Sequence, residues 1–392
     1  MSEVVIVSAA RTPFGRLAGR LAKLQAPELG AHAIRGALER AGVSGEDVDH
    51  LIMGTVIAAG QGQVPSRQAG LLAGLPTTVP SFTVNKVCAS SLKAVNLGAV
   101  LIAAGEADIV VAGGMESMTN APHLLPSLRK GVKMGDAAII DAMIRDGLCC
   151  PVDNVHMGVH GGQVAKEQGY TREQQDAYAL QSQQRFEAAR KAGKFQEEIV
   201  PVSIGEDTLS EDEPPRPDTT LEKLAALKPA FEKDGSITAG NAPGVNDGAA
   251  AVVLMSRERA EREGKTILAE WIAGGDSADE HPYLATVPAR AIERAIEKTH
   301  GAVRKEDIVL YEINEAFAAV ALNSIAMLGV EDDVVNVNGG AIAVGHPVGA
   351  SGARILMSLI FELRRRGGGI GAAGICSGLA QGEATLVRVG TH

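Results

Sequence analysis

A chain of 392 residues with 45% hydrophobic and 21% charged residues holds enough apolar material for two or three packed cores, and its balance excludes long disorder. A net charge of −10 disfavours non-specific binding to nucleic acid or an anionic membrane, so an anionic ligand needs a local basic patch. Aromatic residues make up only 3% while glycines number 46, a composition that brings backbone close to neighbouring elements and ligands.

In chain order, Val4 to Ser8 reads as a strand, followed by an irregular stretch through Pro13 and Gly15. The opening lacks the charged and long apolar regions of a signal peptide, and no apolar run reaches the ~18 residues of a membrane span. Ala31 to Ala41 has helical periodicity, with Ile34, Leu38 and Ala41 on one face. Leu51 to Ala58 reads as a buried strand, Phe82 to Val84 as a short one running into Cys88, and 89–104 as a helix. Ile109 to Ala112 is another buried strand, expected to end at Gly113-Gly114.

This order recurs. Glu46-Asp47-Val48-Asp49-His50-Leu51-Ile52-Met53 resembles Glu306-Asp307-Ile308-Val309-Leu310-Tyr311-Glu312-Ile313, 260 residues later. The same offset carries Cys88 to the neighbourhood of His346, and the strand at 109–112 to a point just before Cys376. Helices alternating with buried strands imply parallel sheets covered on both faces, and a duplicated half places equivalent strand ends side by side. Between the halves, 119–250 has another texture: a polar helical stretch at 171–193, then an acidic, proline-rich loop at 205–218. It reads as a separate loop domain over the active-site face.

The four cysteines, Cys88, Cys149, Cys150 and Cys376, contain no CxxC pair, so no zinc site and no metal ligands are read from their spacing. Their scarcity suggests a reducing compartment, the cytoplasm. Cys88 follows a strand and precedes a helix, where free N–H groups and the helix dipole favour a thiolate nucleophile. On that segment alone a small buried apolar cysteine fits equally well. His346 is surrounded by glycines in Asn338 to Gly352, a spacing that matches neither a dinucleotide fingerprint nor a P-loop. A structural histidine in a tight turn is the plainer alternative. Cys376 follows a glycine-rich strand, and Asn314 sits with Glu315 just after a buried strand, where parallel sheets collect function.

The segments around Cys88, Asn314-Glu315-Ala316-Phe317, His346 and Cys376, with the opening Ser8-Ala9-Ala10-Arg11-Thr12-Pro13-Phe14-Gly15, resemble the blocks of the thiolase family, in order and from first strand to last. The resemblance implies an α/β thiolase fold: two duplicated βαβαβαββ-type halves in a layered α/β/α/β/α arrangement plus a loop domain. The corresponding division is 1–118 for the N-terminal half, with 251–270 returning to it, 119–250 for the loop domain that binds coenzyme A, and 271–392 for the C-terminal half.

The resemblance also implies roles. Cys88 attacks an acyl-CoA and carries the acyl group. His346 takes its proton and later polarises the thioester oxygen. Cys376 is the base toward the second acyl-CoA. Asn314 holds a water that stabilises the enolate with His346, and the N–H groups of Cys88 and Gly378 form a second oxyanion hole. Substrate-lining positions carried over are Leu148, His156, Met157, Arg216, Ala239, Gly240, Ala316 and Phe317. The implied reaction joins two acetyl-CoA into acetoacetyl-CoA, or reverses this by thiolysis, with coenzyme A as substrate and product and no other cofactor. The alternative is a degradative member acting on longer 3-ketoacyl-CoA esters in fatty-acid β-oxidation, and a reading of another class is an inactive scaffold of the same fold. Leu128 to Met134 resembles the loop that tethers family dimers into homotetramers. Three departures bear on acyl length and CoA contact: Pro243 for a common serine, Pro282 to Thr286 for a glycine-rich stretch, and Ala380 for a glycine.

Overall fold

The computed structural model describes residues 2–390. Nine strands form one mixed sheet: β1 (Val4–Arg11), β2 (His50–Gly54), β3 (Ser81–Val84), β4 (Ile109–Ser117), β5 (Asn246–Ser256), β6 (Ala269–Ala278), β7 (Ile308–Ile313), β8 (Gly369–Ser377) and β9 (Gln381–Val389). Their spatial order is β3-β2-β4-β5-β1-β6-β9-β8-β7, with the two-residue strand Gly15–Arg16 also paired to β5.

That order reads nearly the same from its centre in both directions. β1 and β6 pair antiparallel at the middle, through Val4, Val5 and Ile6. Outward from them, β5 and β9 are antiparallel partners, β4 and β8 are antiparallel to those, and β2 and β7 lie parallel to β4 and β8. Strand β3 adds a further parallel ladder on one edge, whose counterpart on the other is the single bridge between Tyr311 and Val335. β4 and β8 are each 9 residues long and begin 260 residues apart, at Ile109 and Gly369.

Eight longer helices accompany the strands: α1 (Ala26–Ala41), α2 (Pro65–Ala73), α3 (Ser90–Ala103), α4 (Met157–Glu167), α5 (Arg172–Lys191), α6 (Val287–Glu297), α7 (Ala318–Leu328) and α8 (Ser351–Arg365). The equivalent helices α3 and α8 pack on each other between the halves, and Ala353 N–H donates to Ser91 Oγ at 2.9 Å. Along β4, Val110 and Ala112 join this central core, while Ile109 and Val111 face the outer core under α1 and α2. On the far side α6 and the end of α7 cover the second half. Both strand faces are apolar because both are covered.

Four boundaries differ from the sequence expectation, each for a physical reason. β1 continues to Arg11, whose buried guanidinium meets Glu198 at 2.8 Å and Asp212 at 2.7 Å, pinning the insert to the strand end. α1 starts at Ala26, because Gln25 and Glu28 form a capping box and Pro27 occupies the first turn. β2 stops at Gly54, since the N–H groups of Val56 and Ile57 turn to the Glu116 carboxylate (2.9 and 3.2 Å). β4 runs through Gly113-Gly114 rather than ending there. A Cβ on Gly113 would stand 2.0 Å from the Ala250 carbonyl oxygen, and one on Gly114 would stand 1.9 Å from that of Gly349. These glycines permit close approach rather than marking a turn.

Between β4 and β5 the chain folds over the strand ends. α5 meets the loop after β7: Tyr178 Oη and Ser182 Oγ donate to Glu315 at 3.0 and 2.8 Å. Glu315 also accepts the Ile342 N–H at 3.0 Å, so one buried carboxylate ties the insert, the loop after β7 and the glycine-rich loop before His346 together.

Candidate active site

Four chain segments deliver the site. Cys88 lies two residues before α3, after a strained step in which the β-branched Val87 adopts φ 45°. His346 precedes α8, behind Gly345 at φ 101°, where a Cβ would meet the Asn246 amide at 2.6 Å. Cys376 is the next-to-last residue of β8, and Gly378 follows the strand. Asn314 follows β7, with its N–H on the Gly374 carbonyl at 3.0 Å.

Cys88, His346, Cys376 and Gly378 line one cavity of about 220 Å³. Of the expected substrate positions, Leu148, His156, Met157, Ala316 and Phe317 line the same cavity. Asn314 is fully buried and touches the cavity through His346, its amide nitrogen 3.5 Å from Nδ1. Arg216, Ala239 and Gly240 lie outside the lining. Arg216 is exposed and donates to the Ala239 carbonyl at 3.0 Å. The segment leads inward from there, since Ala242, Pro243 and Gly244 are part of the wall. Leu284, from the segment that departs from the family, is another wall residue.

The hydrogen bonds fix the histidine tautomer. Ser351 Oγ donates to the Pro347 carbonyl at 2.9 Å, so Nδ1–H of His346 donates to Ser351 Oγ at 2.6 Å. Nε2 then carries a lone pair, and it has no protein partner. Burial, aided by the charge of Arg354, lowers the His346 pKa to about 3, so the ring is neutral near pH 7. Such a nitrogen is a proton acceptor in waiting.

The cysteine expectation needs correction here. The helix terminus was expected to favour a thiolate at Cys88. Burial instead pushes the thiol up to about 12, with help from the Glu116 carboxylate. The N–H groups of Cys88 and Gly378 pull the other way, which places both donors at the sulfur. Cys376 is raised well above the usual thiol range by burial and by the proximity of Cys88. The resting site therefore holds two thiols and a neutral imidazole.

Sequence reasoning missed several contributors. Glu116 accepts from Thr55 Oγ1 (3.1 Å) and from the N–H groups of Val56, Ile57 and Gly349, so it joins the loops on both sides of the cavity. Burial pushes its pKa up to about 7. Its one signal was a carboxylate inside an apolar, glycine-bearing strand. Ser351 carried no signal beyond its place in the glycine block. Phe231 stacks on the His156 ring (centroids 4.2 Å apart) and was visible only as a lone aromatic in a polar stretch. No metal ligands were read from the sequence, yet Cys150, Asp153 and His160 lie together.

Comparison with known proteins bears on what this arrangement does. Residues 4–258 match the family model described as "Thiolase, N-terminal domain", and residues 265–389 match "Thiolase, C-terminal domain". The chain is similar to the acetyl-CoA acetyltransferase of Cupriavidus necator, 51% identical over 99% of this chain and 100% of that protein. It is also similar to the acetyl-CoA acetyltransferase of Chromobacterium violaceum (50% identical, covering 98% and 99%). A probable acetyl-CoA acetyltransferase of Mycobacterium tuberculosis is 49% identical over the full length of both chains.

Proposed function

The chain belongs to the thiolase family, and from that premise we propose that it is an acetyl-CoA C-acetyltransferase, joining two acetyl-CoA into acetoacetyl-CoA and catalysing the reverse thiolysis. The observation that carries the reading is the convergence of Cys88, His346 and Cys376 on one small cavity. The names of relatives at about half identity over the whole chain support the acetyl group as substrate.

The proton inventory of the site supports a balanced sequence. Nε2 of His346 takes the Cys88 proton as Sγ attacks the thioester carbonyl, whose developing oxyanion receives the N–H groups of Cys88 and Gly378. The C–S bond to coenzyme A breaks, and the departing sulfur takes the proton of Cys376. Acetyl-Cys88, a Cys376 thiolate and a protonated His346 remain. The thiolate removes Cα–H from the second acetyl-CoA, while His346 and an Asn314-held water stabilise the enolate oxygen. The enolate carbon attacks the acetyl-Cys88 carbonyl, the Cys88–acyl bond breaks, and Cys88 recovers its proton from His346. Each group ends as it began.

The insert 119–250 then serves as the cover that binds coenzyme A, with Arg216 and Ala239 on the outer part of the path and Pro243 on the wall. We extend the proposal to a cytoplasmic homotetramer. Four free cysteines fit a reducing compartment. Leu128 and Met134, 63% and 95% exposed, give the segment expected to tether dimers an apolar surface to bury, and Ile139 beyond it, 69% exposed, extends that surface.

Chain length is the test. Met118, Leu148, Met157, Leu284 and Phe317 give this small cavity apolar walls. A wall discriminates one methylene by only ~1–3 kcal/mol. The expected kcat/KM for thiolysis is therefore highest for the four-carbon 3-ketoacyl-CoA and falls through six, eight and ten carbons. A maximum at eight carbons or beyond would replace this reading with the degradative one in fatty-acid metabolism.

A further inference from the structure

Apart from the reacting thiols, four donor side chains from two parts of the chain, 150–160 and 281, come together. Cys150 belongs to the short strand Cys149–Cys150, Asp153 to the turn after it, His160 to α4, and His281 to the loop after β6. The Cys150 Sγ, an Asp153 carboxylate oxygen and a His160 ring nitrogen lie within 4.8 Å of one another. Oδ2 of Asp153 is 2.9 Å from Nε2 of His160 and 2.9 Å from Nε2 of His281.

Burial divides the four into two closed donors and two open ones. Cys150 is free and 1% exposed, and the His160 side chain is 2% exposed. Nε2 of His160 is the ring nitrogen that faces Asp153, and its Nδ1 is buried without a partner. Asp153 and His281 are 38% and 36% exposed, which opens a path from solvent.

We infer that Cys150, Asp153, His160 and His281 form a binding site for a tetrahedral divalent metal ion of borderline softness, with zinc the representative. Thiolate, imidazole and carboxylate are the donors such an ion selects, and hard cations prefer oxygen alone. Bonds of ~2.0–2.3 Å at tetrahedral angles separate neighbouring donors by ~3.3–3.8 Å. Cys150, Asp153 and His160, all within 4.8 Å of one another, fit that spacing; His281, outside that close group but 2.9 Å from Asp153, reaches the fourth position by turning its half-exposed side chain. The two imidazoles bind as neutral ligands, and Cys150 binds as thiolate, so loading the ion breaks one S–H bond and releases one proton to solvent.

The ion would clasp two segments far apart in sequence. One, from Cys150 to His160, supplies His156 and Met157 to the catalytic cavity, and the other, just after His281, supplies Leu284. The site thus stands outside the chemistry but stiffens two walls of the acyl pocket.

The test uses the full chain carrying Cys88→Ala and Cys376→Ala, so that the reacting thiols cannot bind metal. Calorimetric titration with zinc chloride should give one ion per chain at micromolar free metal. Cobalt(II) should give a tetrahedral visible spectrum with a thiolate charge-transfer band. Adding Cys150→Ser should remove that band and weaken zinc by more than the ~10–100-fold typical of an outer-shell change. His281→Ala alters only a half-open surface side chain, and should weaken zinc at least tenfold with the circular dichroism unchanged. Absence of saturable zinc binding in this background would overturn the inference. So would equal affinity in the Cys150→Ser and His281→Ala proteins, which would leave a purely hydrogen-bonded clasp. The readout does not depend on turnover and is separate from the fate of the acyltransferase reading.

Discussion

At Cys88 two electrostatic effects oppose each other, and their sizes decide the outcome. A helix terminus stabilises an adjacent anion by ~0.3–2 kcal/mol. A rise from the ordinary thiol value to about 12 corresponds to roughly 4 kcal/mol against the thiolate, so burial wins. The nucleophile is formed by transfer to His346 within the catalytic step, and a standing ion pair is not needed. Iodoacetamide labelling of Cys88, followed by peptide mapping, should therefore accelerate about tenfold per pH unit from pH 7 to 10, because the thiolate fraction rises toward a pKa of about 12. His346 should add no step in that range, its pKa lying near 3. A plateau beginning near pH 7 would mean a thiolate–imidazolium pair and would sink this account. Cys88→Ala should bind CoA esters yet form no acetyl-enzyme by intact mass. The reacting residues were legible in the sequence through the resemblance of their four segments to the blocks of the thiolase family, since on its own segment Cys88 fitted a buried apolar cysteine equally well. Ser351 was not legible, since the contact that fixes the His346 tautomer exists only once the turn at Pro347 is made.

At the scale of elements, three of the four misread boundaries share one cause, a local signal overruled by a neighbour remote in sequence; the start of α1, set by its own capping box, is the exception. Val56 and Ile57 have strand character, but their N–H groups serve Glu116, so β2 ends before them. Gly113-Gly114 looked like a strand end, but the pair exists so that Ala250 and Gly349 can lie against β4. Helix and strand types were legible from periodicity and apolar runs, whereas close backbone contacts leave no pattern in a single sequence. The contact at Gly114 makes a direct prediction. Gly114→Ala should lower stability at the upper end of the ~1–3 kcal/mol usual for overpacking, because the obstruction is a carbonyl and not a flexible side chain. It should also slow acetylation of Cys88, since Gly349 follows the His346 turn. Urea unfolding and single-turnover acetylation would measure the two effects, and an unchanged urea midpoint with normal acetylation would refute the account.

For the whole molecule, the duplicated order was visible as a 260-residue offset, and the sheet repeats it about the β1–β6 pair. The sequence carried no sign that the two halves form one continuous sheet, because that depends on three residue pairs between strands far apart in the chain. Assembly carries the remaining prediction: light scattering should give the mass of four chains, and replacing Leu128, Met134 and Ile139 with serine should yield dimers. A monomeric wild type would defeat the proposed assembly altogether. The position of β5 has a consequence for synthesis on the ribosome. It fills the gap between β1 and β4, yet it is translated only after the whole insert. At ~5–20 residues per second, β1 and β4 wait roughly 7–30 s for the strand that joins them. Throughout that interval each carries an unpaired edge, the feature that recruits other strands. A nascent chain stalled between residues 118 and 245 is thus the form of this protein most exposed to aggregation, and the one for which a chaperone has most to hold.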